Sequence, residues 1–136
     1  MSSIFTKIIQ KEIPAQVIYE DDNHIAFLDI QPFEKGHTLV IPKKEYETIM
    51  DMPENEYLEL QKVVLVLSKH YEKVLWCWIN IVQNNKLIAE QSVFHVHFHI
   101  IPRTQEWKSL YSWTHCSYST NEDWEYQAKL KLNFKI

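Results

Sequence analysis

Glycine is almost missing from this chain: Gly36 is the one residue of its kind in 136. Glycine lets a backbone pass through positive φ or press close to a ligand, so every other turn and loop must be built from residues that carry a side chain. Cysteine is scarce too. Cys77 and Cys116 show no paired spacing, which argues against a disulfide framework and reads as free thiols in a reducing compartment. The longest aliphatic run, Val63 to Leu67, is far shorter than the ~20 residues of a bilayer span. The N-terminal segment meets Lys7, Lys11 and Glu12 too early for the apolar core of a secretory signal. Internal repeats, low-complexity tracts and linkers are absent. A net charge of −4 disfavours nonspecific nucleic-acid binding while leaving a small charged ligand open. The expectation is one soluble domain over residues 1–136, cytoplasmic with the nucleus also open to it, with no membrane or nucleic-acid partner.

What the chain does have is histidine in one place. Phe94 to Arg103 puts His95, His97 and His99 at every second position, with Val96, Phe98 and Ile100 between them. That is strand periodicity, apolar on one face and imidazole on the other. Solvated strand faces favour Thr, Lys and Glu, so a row of imidazoles points to a site. Two chemistries compete. A His-x-His strand can supply zinc ligands, but a straight row of three converges poorly on one ion and no Cys, Asp or Glu interrupts it. A neutral imidazole can instead attack phosphorus, its neighbours setting its tautomer. The second is favoured.

Elsewhere the pattern predicts a short helix over Ser3–Lys11, capped by Ser2 or Ser3 and ended by Pro14. Strands are predicted at Val17–Glu20, His24–Asp29 and His37–Ile41, with a tight turn at Asp21-Asp22-Asn23 and a loop over Gln31–Gly36. A capping box at Asp51–Glu54 would open a helix running to Val74. Its apolar stripe is Tyr57, Leu60, Val64, Leu67, Tyr71 and Val74, with Leu58, Leu65 and Val66 off the stripe as candidates for a subunit contact. Trp76–Val82 reads as a strand, Gln83–Ser92 as a polar connection and Val93–Ile101 as the histidine strand. The tail holds Trp107, Trp113 and Trp124, too much aromatic surface for a disordered extension. Thr120–Asp123 could cap a helix carrying Trp124, Ala128 and Leu132, although Ala128–Ile136 also alternates like a strand; helix is preferred. His24, His70 and His115 read as surface or structural.

These residues resemble the histidine triad family, whose mark is His-φ-His-φ-His-φ-φ with φ apolar, here His95 to Ile101. The blocks Ser3–Ala15, Tyr19–Asp22, Ala26–Ile30 and Gly36–Lys43 fit the same resemblance in order, so it covers residues 3 to 103. The N-terminal block is similar to the histidine-triad nucleotide-binding protein branch. The resemblance implies an α+β, HIT-like fold: a five-stranded antiparallel sheet with a long helix and a short N-terminal helix, paired as a homodimer. It also implies hydrolysis of purine nucleoside 5′-phosphoramidates, AMP or GMP conjugates, with no cofactor. His97 would be the nucleophile, His95 and His99 would orient it and bind phosphate, and His37 would back the row. Ser92 would donate to phosphate or to the leaving amine, and Asn84 and Gln91 would lie on the phosphate side. Asp29 would accept both ribose hydroxyls, and Phe5, Ile8, Ile13, Phe27 and Ile30 would line the base slot, although packing alone would explain those apolar residues.

Three departures from the family pattern bear on this. Its Cys-x-x-Cys zinc positions are Ser3 and Thr6 here, so no metal site is expected. Its glycine-bearing phosphate loop is Asn84 to Gln91 here, with Lys86 and Glu90 where glycines are expected. A left-handed backbone at Glu90 would cost about 1–2 kcal/mol, and a carboxylate aimed at the ligand would repel it, whereas Lys86 could attract phosphate. The segment after Arg103 follows no family pattern. Two rivals therefore stay open: a dinucleoside polyphosphate hydrolase, and a catalytically weak nucleotide-binding or interaction protein.

Overall fold

The computed structural model describes residues 3–104 and 107–136; Ser2 lies outside them. Ser3 caps helix α1 (Ile4–Ile9), its Oγ accepting the Thr6 amide at 3.2 Å. The helix buries Phe5 and ends where Lys11 turns to φ 63°, ahead of Pro14. Strands β1 (Val17–Glu20) and β2 (His24–Leu28) form a hairpin. Asp21 makes its turn by accepting from the amides of Asn23 and His24 at 2.8 and 2.7 Å. That bonding is the local reason Asp favours such turns. The His24 ring is buried and also held by Asp21, at 3.0 Å, a structural role.

Strand β3 (Thr38–Pro42) follows the Gln31–Gly36 loop. Gly36 has φ +92°, and a Cβ there would stand 3.0 Å from Pro102 Cγ. The chain's one glycine is therefore spent where both backbone and space require it. Helix α2 (Glu54–Leu75) buries Leu60, Val63, Val64, Leu67 and Tyr71. The expected capping box lies three residues earlier in function: Asp51 accepts from Thr48 N and Oγ1 at 3.0 and 2.9 Å, closing a single 3₁₀ turn. α2 itself starts after Pro53 without a side-chain cap. Val66 packs partly against the core, leaving Leu58 and Leu65 as the exposed apolar residues.

Trp76 caps α2 in the left-handed region, so β4 (Trp78–Gln83) starts two residues later than its β-rich pattern suggests. β5 is Phe98–Arg103. The strand order β1-β2-β3-β5-β4 is antiparallel throughout. The predicted histidine strand is shorter than expected at its start. The β5 ladder opens with Phe98 opposite both Val40 and Gln83, beyond which β4 departs into its loop. Residues 93–97 have no strand to pair with, and Val96 N bonds the Tyr46 carbonyl instead, at 2.8 Å.

The side-chain alternation survives that loss. Val96, Phe98 and Ile100 enter the core under α2, while Phe5, Ile25, Phe27, Leu39 and Ile41 form a second apolar cluster with α1. The tail forms helix α3 (Glu122–Leu130), as preferred over the strand reading, but it ends two residues short of Leu132. Asn121 precedes it without a side-chain cap bond; Glu122 Oε1 accepts the Ser119 amide at 2.9 Å. Leu132, past the helix, is buried and its amide bonds the Ile18 carbonyl at 3.0 Å. No helix among the described residues is long and apolar enough to cross a membrane.

Gly36→Ala should lower unfolding free energy by at least about 1–2 kcal/mol, since it adds a left-handed backbone penalty to a tight contact. Urea unfolding of both proteins checks this; equal midpoints would contradict it.

Candidate active site

His37, His95, His97 and His99 are all buried, and their hydrogen bonds determine where each proton sits. The Phe33 amide donates to His37 Nδ1 at 2.9 Å, so the proton of neutral His37 lies on Nε2. That Nε2 donates to His99 Nδ1, also at 2.9 Å, which leaves the His99 proton on its own Nε2. On the other side, His95 Nε2 donates to the Pro42 carbonyl at 2.7 Å, and its Nδ1 accepts from Ser3 Oγ at 3.1 Å. His97 Nδ1 donates to the His95 carbonyl at 2.8 Å. His97 Nε2 therefore carries a free lone pair. One ring away, with centroids 5.0 Å apart, His99 offers an N–H.

Burial holds this arrangement neutral. Desolvation depresses the pKa of all four imidazoles, most strongly for His37 and His99, whose rings face each other and His97. A charge on one would repel the rest. Asp29, at the end of β2, approaches His37 Nε2 to 3.8 Å. Its own pKa is raised by desolvation, against the Gln31 amide that it accepts at 2.9 Å.

Asp29, His37 and His99 bring three potential ligand atoms within 4.8 Å of one another. The donor set does not fit an ion. His37 Nε2 is the atom facing the cluster, and it must keep its proton because Nδ1 already accepts the Phe33 N–H. A metal would need a deprotonated nitrogen there. The Ser3 and Thr6 positions likewise form a hydroxyl network, 3.3 Å apart, with Glu45 Oε1 3.4 Å from Thr6 Oγ1 and 3.9 Å from His95 Nδ1.

Phe5 meets His97 edge-on at 5.1 Å and Phe27 at 5.6 Å. Ile8 packs against that cluster, Ile13 is half-buried, and Ile30 is 84% exposed at the rim beyond Asp29. Ser92 is exposed and Asn84 half-buried, its Nδ2 3.5 Å from the Glu90 carbonyl. Gln91 departs from expectation. It is 1% exposed and its amide is spent inside the protein, so it does not face a ligand. The Lys86 ammonium pairs with Glu47 at 2.7 Å, and Glu90 takes φ 69°, ψ 25° with an exposed side chain. Of the two effects anticipated at Glu90, the backbone one is present.

The sequence pattern did not reveal two contributors. Trp113, from the tail, lies edge-on to His99 and His37 at 5.6 and 5.8 Å and against Phe33 at 5.1 Å. His115 holds the same stretch down by bonding the Gln31 carbonyl at 2.8 Å. The aromatic density of the tail was the available signal, but it did not say which surface Trp113 would cover.

A buried neutral histidine row beside a carboxylate, on a five-stranded antiparallel α+β sheet, marks the class of the histidine-triad proteins. Comparison with known proteins agrees. The HIT domain family model matches residues 10–106. An uncharacterised HIT-like protein of Methanocaldococcus jannaschii is 53% identical over 100 residues, covering 74% of this chain and 78% of its own. An adenosine 5′-monophosphoramidase of Saccharomyces cerevisiae is 40% identical over 107 residues, covering 79% and 66%. The crystal structure of a HIT-like protein from Bartonella henselae superposes with TM-score 0.84 at 36% identity, covering 96% of this chain and 95% of that one. The chain belongs to the HIT domain family, in the branch of the histidine-triad nucleotide-binding proteins.

Stability should fall as pH drops. Each row histidine has a folded pKa below its ordinary value of 6.5, so below that pH the unfolded chain binds more protons. The stabilisation is complete above pH 6.5 and declines by up to about 1.4 kcal/mol per pH unit for each such histidine until it titrates in the folded protein. Urea midpoints at pH 7.5, 6.0 and 5.0 should descend in that order; a flat series would refute a neutral row.

Proposed function

We propose that this protein hydrolyses the P–N bond of purine nucleoside 5′-phosphoramidates of AMP type through a covalent nucleotidyl-His97 intermediate. The carrying observation is the hydrogen bond from His97 Nδ1 to the His95 carbonyl, which leaves Nε2 unprotonated in a pocket that favours neutral imidazole. The kinship with adenosine 5′-monophosphoramidases of the same family supports the reading.

In the first step His97 Nε2 attacks phosphorus and the P–N bond breaks, the amine leaving with a proton drawn from solvent. The positive charge arising on His97 is stabilised by the His95 carbonyl at Nδ1. His99 Nε2–H donates to a phosphate oxygen, its tautomer set by His37 and in turn by the Phe33 amide. Ser92 donates to phosphate or to the departing amine, and Asn84 lies on the same side. Asp29 accepts the ribose hydroxyls, while Phe5, Ile8, Ile13 and Phe27 border the base with Ile30 at the rim. Water then attacks the nucleotidyl-histidine, releasing the nucleoside monophosphate and returning Nε2 to its free state.

Among the elements with exposed apolar residues, β4 and α2 adjoin one another. β4 is an edge strand with Trp78 83% exposed and Ile81 50%, and α2 exposes Leu58 and Leu65. An unpaired edge invites pairing, and homodimer interfaces are more apolar than ordinary surface. The functional unit is a homodimer through the β4 edge and the adjoining part of α2.

His97→Ala should abolish nearly all hydrolysis of adenosine 5′-phosphoramidate while AMP affinity by calorimetry changes only modestly, since Asp29 and the apolar residues remain. Turnover within about tenfold of wild type would exclude His97 as nucleophile. Faster turnover of a dinucleoside polyphosphate than of the phosphoramidate would favour the P–O hydrolase instead, and AMP binding without turnover of either would favour a binding protein.

Multi-angle light scattering at micromolar concentration should return about twice 16.4 kDa. A monomer mass would refute the dimer.

A further inference from the structure

The loop between β4 and the histidine segment lacks glycine, yet it adopts glycine backbone geometry. Lys86 sits at φ 74°, ψ 164° and Glu90 at φ 69°, ψ 25°. The first lies in a region essentially restricted to glycine, and such residues persist only where their surroundings over-determine them. Here the surroundings converge on one side chain. Gln91 Oε1 accepts the Lys86 amide at 2.6 Å, and Nε2 donates to the carbonyls of Glu47 and Val93 at 2.6 and 3.0 Å. The Gln91 amide also donates to the Lys86 carbonyl at 3.1 Å, closing a ring around the Leu87–Ala89 turn. The Lys86–Glu47 ion pair sits on the exposed side of the same loop, where pairs contribute little. The buried amide is the stronger restraint, because unmaking it would strand polar groups away from water.

The geometry points to Gln91 as a positioning residue: a side-chain clamp that holds Lys86 and Glu90 at positive φ, and so sets Asn84 and Ser92 beside the phosphate. Asn84 Nδ2 lies 3.5 Å from the Glu90 carbonyl, and Ser92 follows Gln91 directly, so both feel the setting of the loop. The clamp is a property of the loop itself. Its benefit to catalysis rests on the phosphoramidase reading above.

Four full-length proteins test this: wild type, Gln91→Met, the pair Lys86→Gly with Glu90→Gly, and the triple variant. Each is measured for thermal midpoint, hydrogen exchange at the amide of residue 86, and hydrolysis of adenosine 5′-phosphoramidate. Gln91→Met should lower the midpoint and strip protection from that amide. Its kcat should fall by about ten- to a hundredfold, as for a ~1 Å misplacement, with KM nearly unchanged. In the glycine background the same substitution should cost far less midpoint and most of the turnover should return, a rescue that a packing role alone would not give. Equal losses in both backgrounds, or unaltered exchange at residue 86 in Gln91→Met, would overturn the clamp. Should Gln91→Met fail to fold, Gln91→Asn replaces it. That variant keeps the amide uncharged but shortens its reach by one methylene, so it should show a midpoint loss that the glycine background reduces; equal loss in both backgrounds would overturn the clamp. If wild type does not hydrolyse the phosphoramidate, the functional reading falls while the unfolding and exchange arms still decide the clamp.

Discussion

Four imidazoles placed side by side away from water can coexist only if none is charged and each proton has a single place to sit. That constraint organises the rest of the molecule. The Phe33 amide sets His37, His37 sets His99, the Pro42 carbonyl sets His95, and the His95 carbonyl sets His97. Three of the four determinants are backbone groups, so proton placement is encoded in the path of the chain. The loop that carries Phe33, the end of β3 and the segment leading into β5 hold those backbone groups at hydrogen-bonding distance, and Ser3, the cap of α1, adds its hydroxyl at His95 Nδ1.

The scarcity of glycine shows the same economy. The single glycine sits where a positive φ coincides with the close approach of Pro102. At Lys11, Trp76, Lys86, Glu90 and Asn121 the chain enters the left-handed side of conformational space with ordinary residues. Trp76 stands at the C-terminal end of α2, where such geometry is common, and Asn121 is of a residue type that tolerates it. Lys86 and Glu90 lie in the loop from β4 to the histidine segment, where strain is tolerated because neighbouring bonds enforce it.

Much of this was legible in the sequence because it is local. The alternation of His95, His97 and His99 with apolar residues has period two, and it placed the rings on one side even though His95 and His97 precede the paired part of β5. The α2 stripe and the Asp21 turn are equally short-ranged. What escaped depends on partners distant in the chain. Where β5 starts pairing is decided by Val40 and Gln83. The inward turn of Gln91 depends on the carbonyl of Glu47, and the capping role of Asp51 depends on Thr48 lying upstream rather than on the helix downstream. Trp113 reaches His37 and His99 only because the tail folds back across the Gln31–Gly36 loop.

That fold-back divides the surroundings of the histidine row between two kinds of inheritance. The rings and the carboxylate fall inside the stretch that the family model matches, which ends at residue 106, whereas Trp113 and His115 lie outside it. The aromatic ring beside His37 and His99 thus comes from a segment that the family model does not reach. A change confined to the tail would therefore alter what surrounds His37 and His99 while leaving the four hydrogen bonds that place the protons of the row in position.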